Sequence, residues 1–230
     1  MIFQIAFNLK LKQIYFILFL FTVSSFHGQP KKDFCTEFKE ESIDKLKYLK
    51  TQLDQLPSPN YFSKTELITI ILPEYLTYSK FKNEAEIAYL IFNYSSQNER
   101  FKTISFGPFQ MQLRFIDDIL IKASKKNIKD PILRNYSVSN YQYLIDNLQH
   151  LNKLSTQWEI LKCFEKITLQ NNLKHNDKNE PLKKLIQLYN SGGFNQKIND
   201  QAFSKITCST KSYESWCYVM KEWMLKNNFH

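Results

Sequence analysis

Glycine is scarce in this chain, with four among 230 residues and no Asn-Gly or Asp-Gly pair. The short hairpins that such pairs favour are therefore not expected, and the case for a sheet-based fold is weak. Four cysteines are present, but no Cys-x-x-Cys and no Cys/His group has zinc-site spacing, so neither a metal nor a cofactor is expected. His150 and His175 are isolated, without a Ser or Cys arrangement that suggests a triad. The chain is basic, with a net charge of +9, yet its lysines are scattered. No Arg-rich helix or nucleic-acid motif accompanies them, so a solvated basic face is expected and not a nucleic-acid partner. There is also no long apolar run. Ile14–Phe21 is the most apolar stretch near the start, and it falls short of the about 20 residues that a membrane span needs.

That stretch has a different meaning. Lys10 and Lys12 precede it, and the small residues Val23 and Ser25 follow. A basic flank, a short apolar core and small residues form the pattern of a secretory signal peptide over residues 1–28, the alternative being a retained anchor. Cleavage after Ser25 or after Gly28 both fit. The chain is then exported, periplasmic or extracellular, with no stable membrane span after cleavage. Residues 29–230 suit one domain with a sizeable core. Their charge is +7 once Lys10 and Lys12 are left out, which suits a polyanionic envelope partner. Cys35, Cys163, Cys208 and Cys217 all follow the leader, and an even count in an exported chain suggests up to two disulfides. Three pairings are possible. The short loop favours Cys208 with Cys217, which leaves Cys35 with Cys163.

Apolar spacing is helical almost throughout, and one all-α domain is the simplest account. Phe34 and Phe38, then Leu46, Leu49, Leu53 and Leu56, mark a first amphipathic helix that Pro57-Ser58-Pro59 ends. Ser63 and Glu66 form a capping-box pattern, with Phe62 and Leu67 at staple positions. The helix they open runs through Leu67–Leu72 and ends in Pro73-Glu74. Further helices are expected near 84–94, 112–124, 139–152, 154–173, 181–190 and 212–227. Pro181 fits a first helical turn, and Gly192 fits just past a helix end.

Glu74 follows six mostly apolar residues, Leu67–Leu72, at the helix end. It is either a carboxylate that meets solvent or one held against the core while reaching a cleft. The second setting raises a carboxyl pKa, which a general acid requires. Two later segments bear on the choice. Ser105-Phe106-Gly107-Pro108-Phe109-Gln110-Met111 offers a glycine that permits close backbone approach and an amide that both donates and accepts. Leu188-Tyr189-Asn190-Ser191-Gly192 offers a phenol and an amide, and is also good helix-ending chemistry.

Taken in order, these three segments resemble the catalytic core of the lysozyme-like superfamily, in particular the lytic transglycosylases and goose-type lysozymes. The resemblance covers about residues 63–193. Gly107, Phe109 and Gln110 match the Gly, Met and Gln positions of the family's Gly-Leu-Met-Gln loop, and Tyr189-Asn190 matches its Ala-Tyr-Asn-Ala-Gly motif. The resemblance implies a lysozyme-like domain that cleaves β-1,4 linkages of peptidoglycan, with Glu74 as the acid. Tyr189 would contact Glu74, and Ser105, Gly107, Phe109, Gln110 and Asn190 would line the sugar subsites. Tyr75 stands where most members have Ser, Pro108 replaces a Leu, and 33 residues separate Glu74 from Gly107, a longer gap than usual.

Glu99, in a polar loop, is the runner-up acid, whereas Glu84 and Glu86 suit a solvated helix face. Asp117 and Asp118 are candidates for the second carboxylate that two-acid glycosidases place about 5–9.5 Å from the first, although surface positions suit them better. Lytic transglycosylases, as the resemblance implies, manage with one Glu and give a 1,6-anhydro sugar. A hydrolase using water and a non-catalytic envelope glycan-binding protein are the alternatives.

Overall fold

The computed structural model describes residues 40–123, 129, 131–170, 179–191, 221, 224 and 225. Residues 1–28, expected to be a signal peptide, and Phe34, Cys35, Phe38, Cys208, Cys217 and Gly192 lie outside the described residues, as does most of the helix expected over 212–227. The described residues belong to one compact unit, Phe38–His230. In order they form α1 (Glu40–Asp54), α2 (Lys64–Thr69), α3 (Leu72–Thr77), α4 (Lys80–Ser95) and a 3-10 turn (Glu99–Thr103). A hairpin of β1 (Ser105–Phe106) and β2 (Met111–Gln112) follows. Then come α5 (Leu113–Lys122), α6 (Pro131–Arg134), α7 (Tyr141–Asp146), α8 (Leu148–Leu151), α9 (Leu154–Gln170) and α10 (Asn179–Asn190). No helix among the described residues is long and apolar enough to cross a membrane.

The apolar spacing explains the helices. Leu46, Leu49 and Leu53 of α1 are all buried, as a three-to-four-residue stripe requires. The capping box before α2 is complete. Ser63 Oγ accepts from Glu66 N at 3.1 Å, and Glu66 Oε2 accepts from Ser63 N at 2.9 Å. Such a cap contributes about 1 kcal/mol, and the staple residues Phe62 and Leu67 are both buried beside it.

Helix α9 is the central strut, with Trp158, Ile160, Leu161 and Phe164 fully enclosed. It also carries two polar ties to the segment before α2. The buried carboxylate of Glu165 accepts from the backbone N–H groups of Asn60, Tyr61 and Phe62 at 3.0, 3.1 and 2.8 Å. Trp158 Nε1 donates to the Pro57 carbonyl at 2.9 Å. The chain that leads into the Glu74 region is thereby fixed to the core.

Four expectations change. The helix expected to end at Pro73-Glu74 is broken at Ile70-Ile71, and Pro73 lies in the first turn of a new helix, α3. Proline has no N–H to give a preceding turn, so it opens a helix more readily than it continues one. Glu74 is therefore a first-turn residue. The span 139–152 divides at Asn147 into α7 and α8. A hairpin is present where none was expected, with Ser105 opposite Gln112 and Phe106 opposite Met111. Its four-residue connection, Gly107–Gln110, needs no Asn-Gly pair. Lastly, Cys163 is a free thiol buried on α9, so the pairing with Cys35 is not formed. Burial pushes that thiol up to about 11.

Candidate functional site

Glu74 occupies the short helix α3, between α1 and α4. Pro73, Tyr75 and Leu76 around it are buried, and Glu74 itself is half-buried. The end of α3 is held by Lys45 of α1, whose Nζ donates to the Leu76 and Tyr78 carbonyls at 3.0 and 3.3 Å. A cation there satisfies carbonyls that the last helical turn leaves open. The Glu74 carboxyl is held above the usual range, first because burial disfavours its charged form. The positive charge of Lys82 pulls it back, and the negative charge of Glu86 raises it further.

The hairpin loop is shaped by three buried amides, Asn83, Gln157 and Gln110. Asn83 of α4 accepts from Gly107 N at 2.6 Å. Gln157 of α9 accepts from Phe109 N at 2.8 Å and donates to the Phe106 carbonyl at 3.1 Å. Gln110 turns back on the loop, donating from N and Nε2 to the Gly107 carbonyl, each at 3.0 Å. Gly107 takes φ +78° and Gln110 takes φ +51°. Glycine is needed at 107 for a second reason, since a Cβ there would lie 1.9 Å from Gln157 Nε2.

Tyr189 of α10 closes the constellation. Its hydroxyl donates to the Phe109 carbonyl, and its ring packs edge-on against Phe115 with centroids 5.3 Å apart. The phenol is buried, which pushes it well above its ordinary range, and the charge of Glu74 adds to that push. Glu74 and Tyr189 therefore share one electrostatic neighbourhood, but the direct bond of Tyr189 is to the loop. Gln110 is buried there as well.

The remaining expected residues fare differently. Phe109 is fully buried, so its ring serves the core and offers no face to a sugar. Phe106 is likewise enclosed. Ser105 is half-buried in the hairpin and Asn190 is half-buried at the end of α10. The runner-up acid Glu99 is exposed and paired with Lys102. Asp117 is no surface residue. It is buried, and it accepts from the Tyr136 hydroxyl and from Ser139 Oγ at 3.0 Å. Asp118 faces Lys122 at 3.3 Å. Neither aspartate is among the charges that act on Glu74.

Glu86 is the residue that the sequence reading placed in solvent and the structure does not. It is one turn past Asn83 on the loop-facing side of α4, with a side chain 23% exposed. Lys82 Nζ stands 3.5 Å from its Oε1, while Oε2 is sealed from solvent and accepts no hydrogen bond. Burial raises this carboxyl, and the charge of Lys82 and the Gln110 amide draw it back down. The three-residue step from Asn83 to Glu86 on an otherwise polar face was the signal available. Among the described residues no group of His, Cys, Asp and Glu side chains could hold a metal ion.

What the arrangement offers chemically is a half-buried acid that keeps its proton to higher pH than an ordinary glutamate. Comparison with protein-family models, curated proteins and solved structures finds no match for this chain.

Proposed function

We propose that this chain is an exported, lysozyme-like enzyme that cleaves β-1,4-linked strands of peptidoglycan, with Glu74 as its acid. The observation that carries the reading is the placement of Glu74. It is a carboxyl raised by burial, its charge acts on the buried phenol of Tyr189, and Glu86, whose charge acts on it, is reached by the Gln110 amide. Glu74, Gln110 and Tyr189 are the residues that the three-segment resemblance assigns to one cleft.

A carboxyl of raised pKa keeps its proton to higher pH than an ordinary glutamate and can deliver it to the oxygen bridging two sugars. As the bond from the anomeric carbon to that oxygen breaks, the electron pair leaves with the protonated oxygen. Glu74, now ionised, takes the proton of the muramic 6-hydroxyl, whose oxygen closes on the anomeric carbon. The product carries a 1,6-anhydro end, and the acid is regenerated. Of the expected second carboxylates, Asp117 is engaged by Tyr136 and Ser139 and Asp118 faces Lys122. The Glu86 oxygens are directed to Lys82 or sealed from solvent, which suits a water-activating base poorly. A single-acid lytic transglycosylase is therefore favoured over a hydrolase.

The test is digestion of purified peptidoglycan sacculi, with fragments read by mass spectrometry. Anhydro-ended fragments are expected. Reducing-end fragments would make the enzyme a hydrolase, and binding without fragments would make it an envelope glycan-binding protein.

A further inference from the structure

We propose that Asn152, at the corner between α8 and α9, is a positioning residue for the hairpin loop, turning the Asn83 amide so that its oxygen meets Gly107 N. The purpose of this wiring rests on the glycan-cleaving reading, since Gln110 hangs on Gly107, but the wiring itself is a matter of hydrogen bonds.

Asn83 on α4 is enclosed, with 2% of its surface exposed. An asparagine side chain has an acceptor end and a donor end of nearly the same shape. Away from water, its neighbours decide which end points where. The oxygen of Asn83 accepts from Gly107 N at 2.6 Å. Its nitrogen donates to Asn152 Oδ1 at 3.0 Å, across 69 residues of chain. Turned the other way, the amide would set its NH2 group against the N–H of Gly107, two donors with no acceptor between them. Buried donors left in that state are costly. Gly107 N can only donate, and Asn152 supplies the acceptor that draws the Asn83 nitrogen away from it.

Asn152 is itself held. It ends α8, and its N–H is bonded to the Leu148 carbonyl at 2.9 Å. The corner runs directly into α9, with Lys153 N donating to the His150 carbonyl at 3.1 Å and Gln157 N to the Lys153 carbonyl at 3.0 Å. His150 Nε2 lies 3.3 Å from Thr156 Oγ1 across the same corner. Gln157, in the next turns of α9, holds the loop at Phe106 and Phe109. One corner thus grips the loop twice, directly through Gln157 and indirectly through Asn152 and Asn83. The grip passes on toward the site, because Gln110 N and Nε2 both donate to the Gly107 carbonyl at 3.0 Å. A shift of Gly107 carries the Gln110 amide with it.

The experiment is an amide NMR measurement on the full chain, labelled with nitrogen-15 in glycine and carbon-13 in the phenylalanine carbonyl. Gly107 is the only one of the four glycines that follows a phenylalanine, so the two labels together identify its N–H. In the unaltered protein that N–H should lie downfield and exchange slowly with deuterium, as a buried and bonded amide does. Asn152→Ala should move it upfield and speed its exchange by about tenfold or more. Asn152→Asp, which keeps an oxygen toward Asn83, should leave both readings near those of the wild type. Unchanged readings in Asn152→Ala would overturn the proposal. Equal loss in Asn152→Ala and Asn152→Asp would overturn it too, because general damage to the corner does not distinguish an acceptor from a methyl group. Should Asn152→Ala fail to fold, Asn152→Leu fills the same volume without an acceptor and is read in the same way. Sacculus cleavage should follow the amide, falling in Asn152→Ala and holding in Asn152→Asp. If the wild type cleaves nothing, the enzymatic reading fails while the amide measurement still decides the wiring.

Discussion

Replacing Gly107 by Ala strikes two features of the loop at once, and the cost can be worked out. At φ +78° an alanine is strained by about 1–2 kcal/mol. Its Cβ would also lie 1.9, 2.6 and 2.8 Å from Nε2, Cδ and Oε1 of Gln157, so the amide head must leave. That strands Phe109 N and the Phe106 carbonyl, which Gln157 now serves at 2.8 and 3.1 Å. Each buried orphan costs about 1–3 kcal/mol, which brings the total to roughly 3–8 kcal/mol. In a Gln157→Ala background the amide is already gone, and Gly107→Ala should cost only the backbone strain of about 1–2 kcal/mol. A double-mutant cycle by urea denaturation should therefore show the pair to be less than additive by about 2–6 kcal/mol. Additivity within about 0.5 kcal/mol would refute the claim that Gln157 holds this loop through contact with position 107.

Glu165→Gln weakens the acceptor of three backbone N–H groups and should lower stability by about 2–4 kcal/mol, read by thermal unfolding. Tyr189→Phe removes the donor to the Phe109 carbonyl and should cost about 1–3 kcal/mol while lowering sacculus cleavage. Glu74→Gln should stabilise the fold at neutral pH. The folded carboxyl is raised above the ordinary 4.5, so the wild type loses stability as pH climbs from that value through the raised one. Below this window the advantage should vanish, and unfolding curves at several pH values check it. Cys163, buried and pushed up to about 11, should resist iodoacetamide at pH near 8 until denaturant is added, as peptide mapping would show.

The helical framework was legible because it is written in local chemistry. The leucine spacing of α1 and the Ser63–Glu66 box each depend on residues within a turn or two, and both form as expected. Pro73 carried its signal too, but the apolar run before it concealed the break, since burial favours helix and strain at one proline does not show in periodicity. The site was legible only in part. Glu74, Gln110 and Tyr189 stand in sequence segments with recognisable order. Their supports do not: Asn83 and Gln157 act across 24 and 48 residues. Even so, a polar Gln157 and Glu165 within the apolar face of α9 that holds Leu161 and Phe164 were a readable anomaly, because buried polar groups need partners. Phe109 shows the converse error. An aromatic in a candidate loop reads as a sugar platform, yet the hairpin turns it into the core.

The central claim is that Glu74 supplies the proton that breaks a glycan strand. The most direct measurement is a side-by-side digestion of peptidoglycan sacculi by the wild type and by Glu74→Gln, matched for folding by circular dichroism. Anhydro-ended fragments are expected from the wild type, with a loss of about 10²–10⁴-fold in the variant, the range a general acid contributes. Equal cleavage by both proteins would contradict it and remove Glu74 from the chemistry.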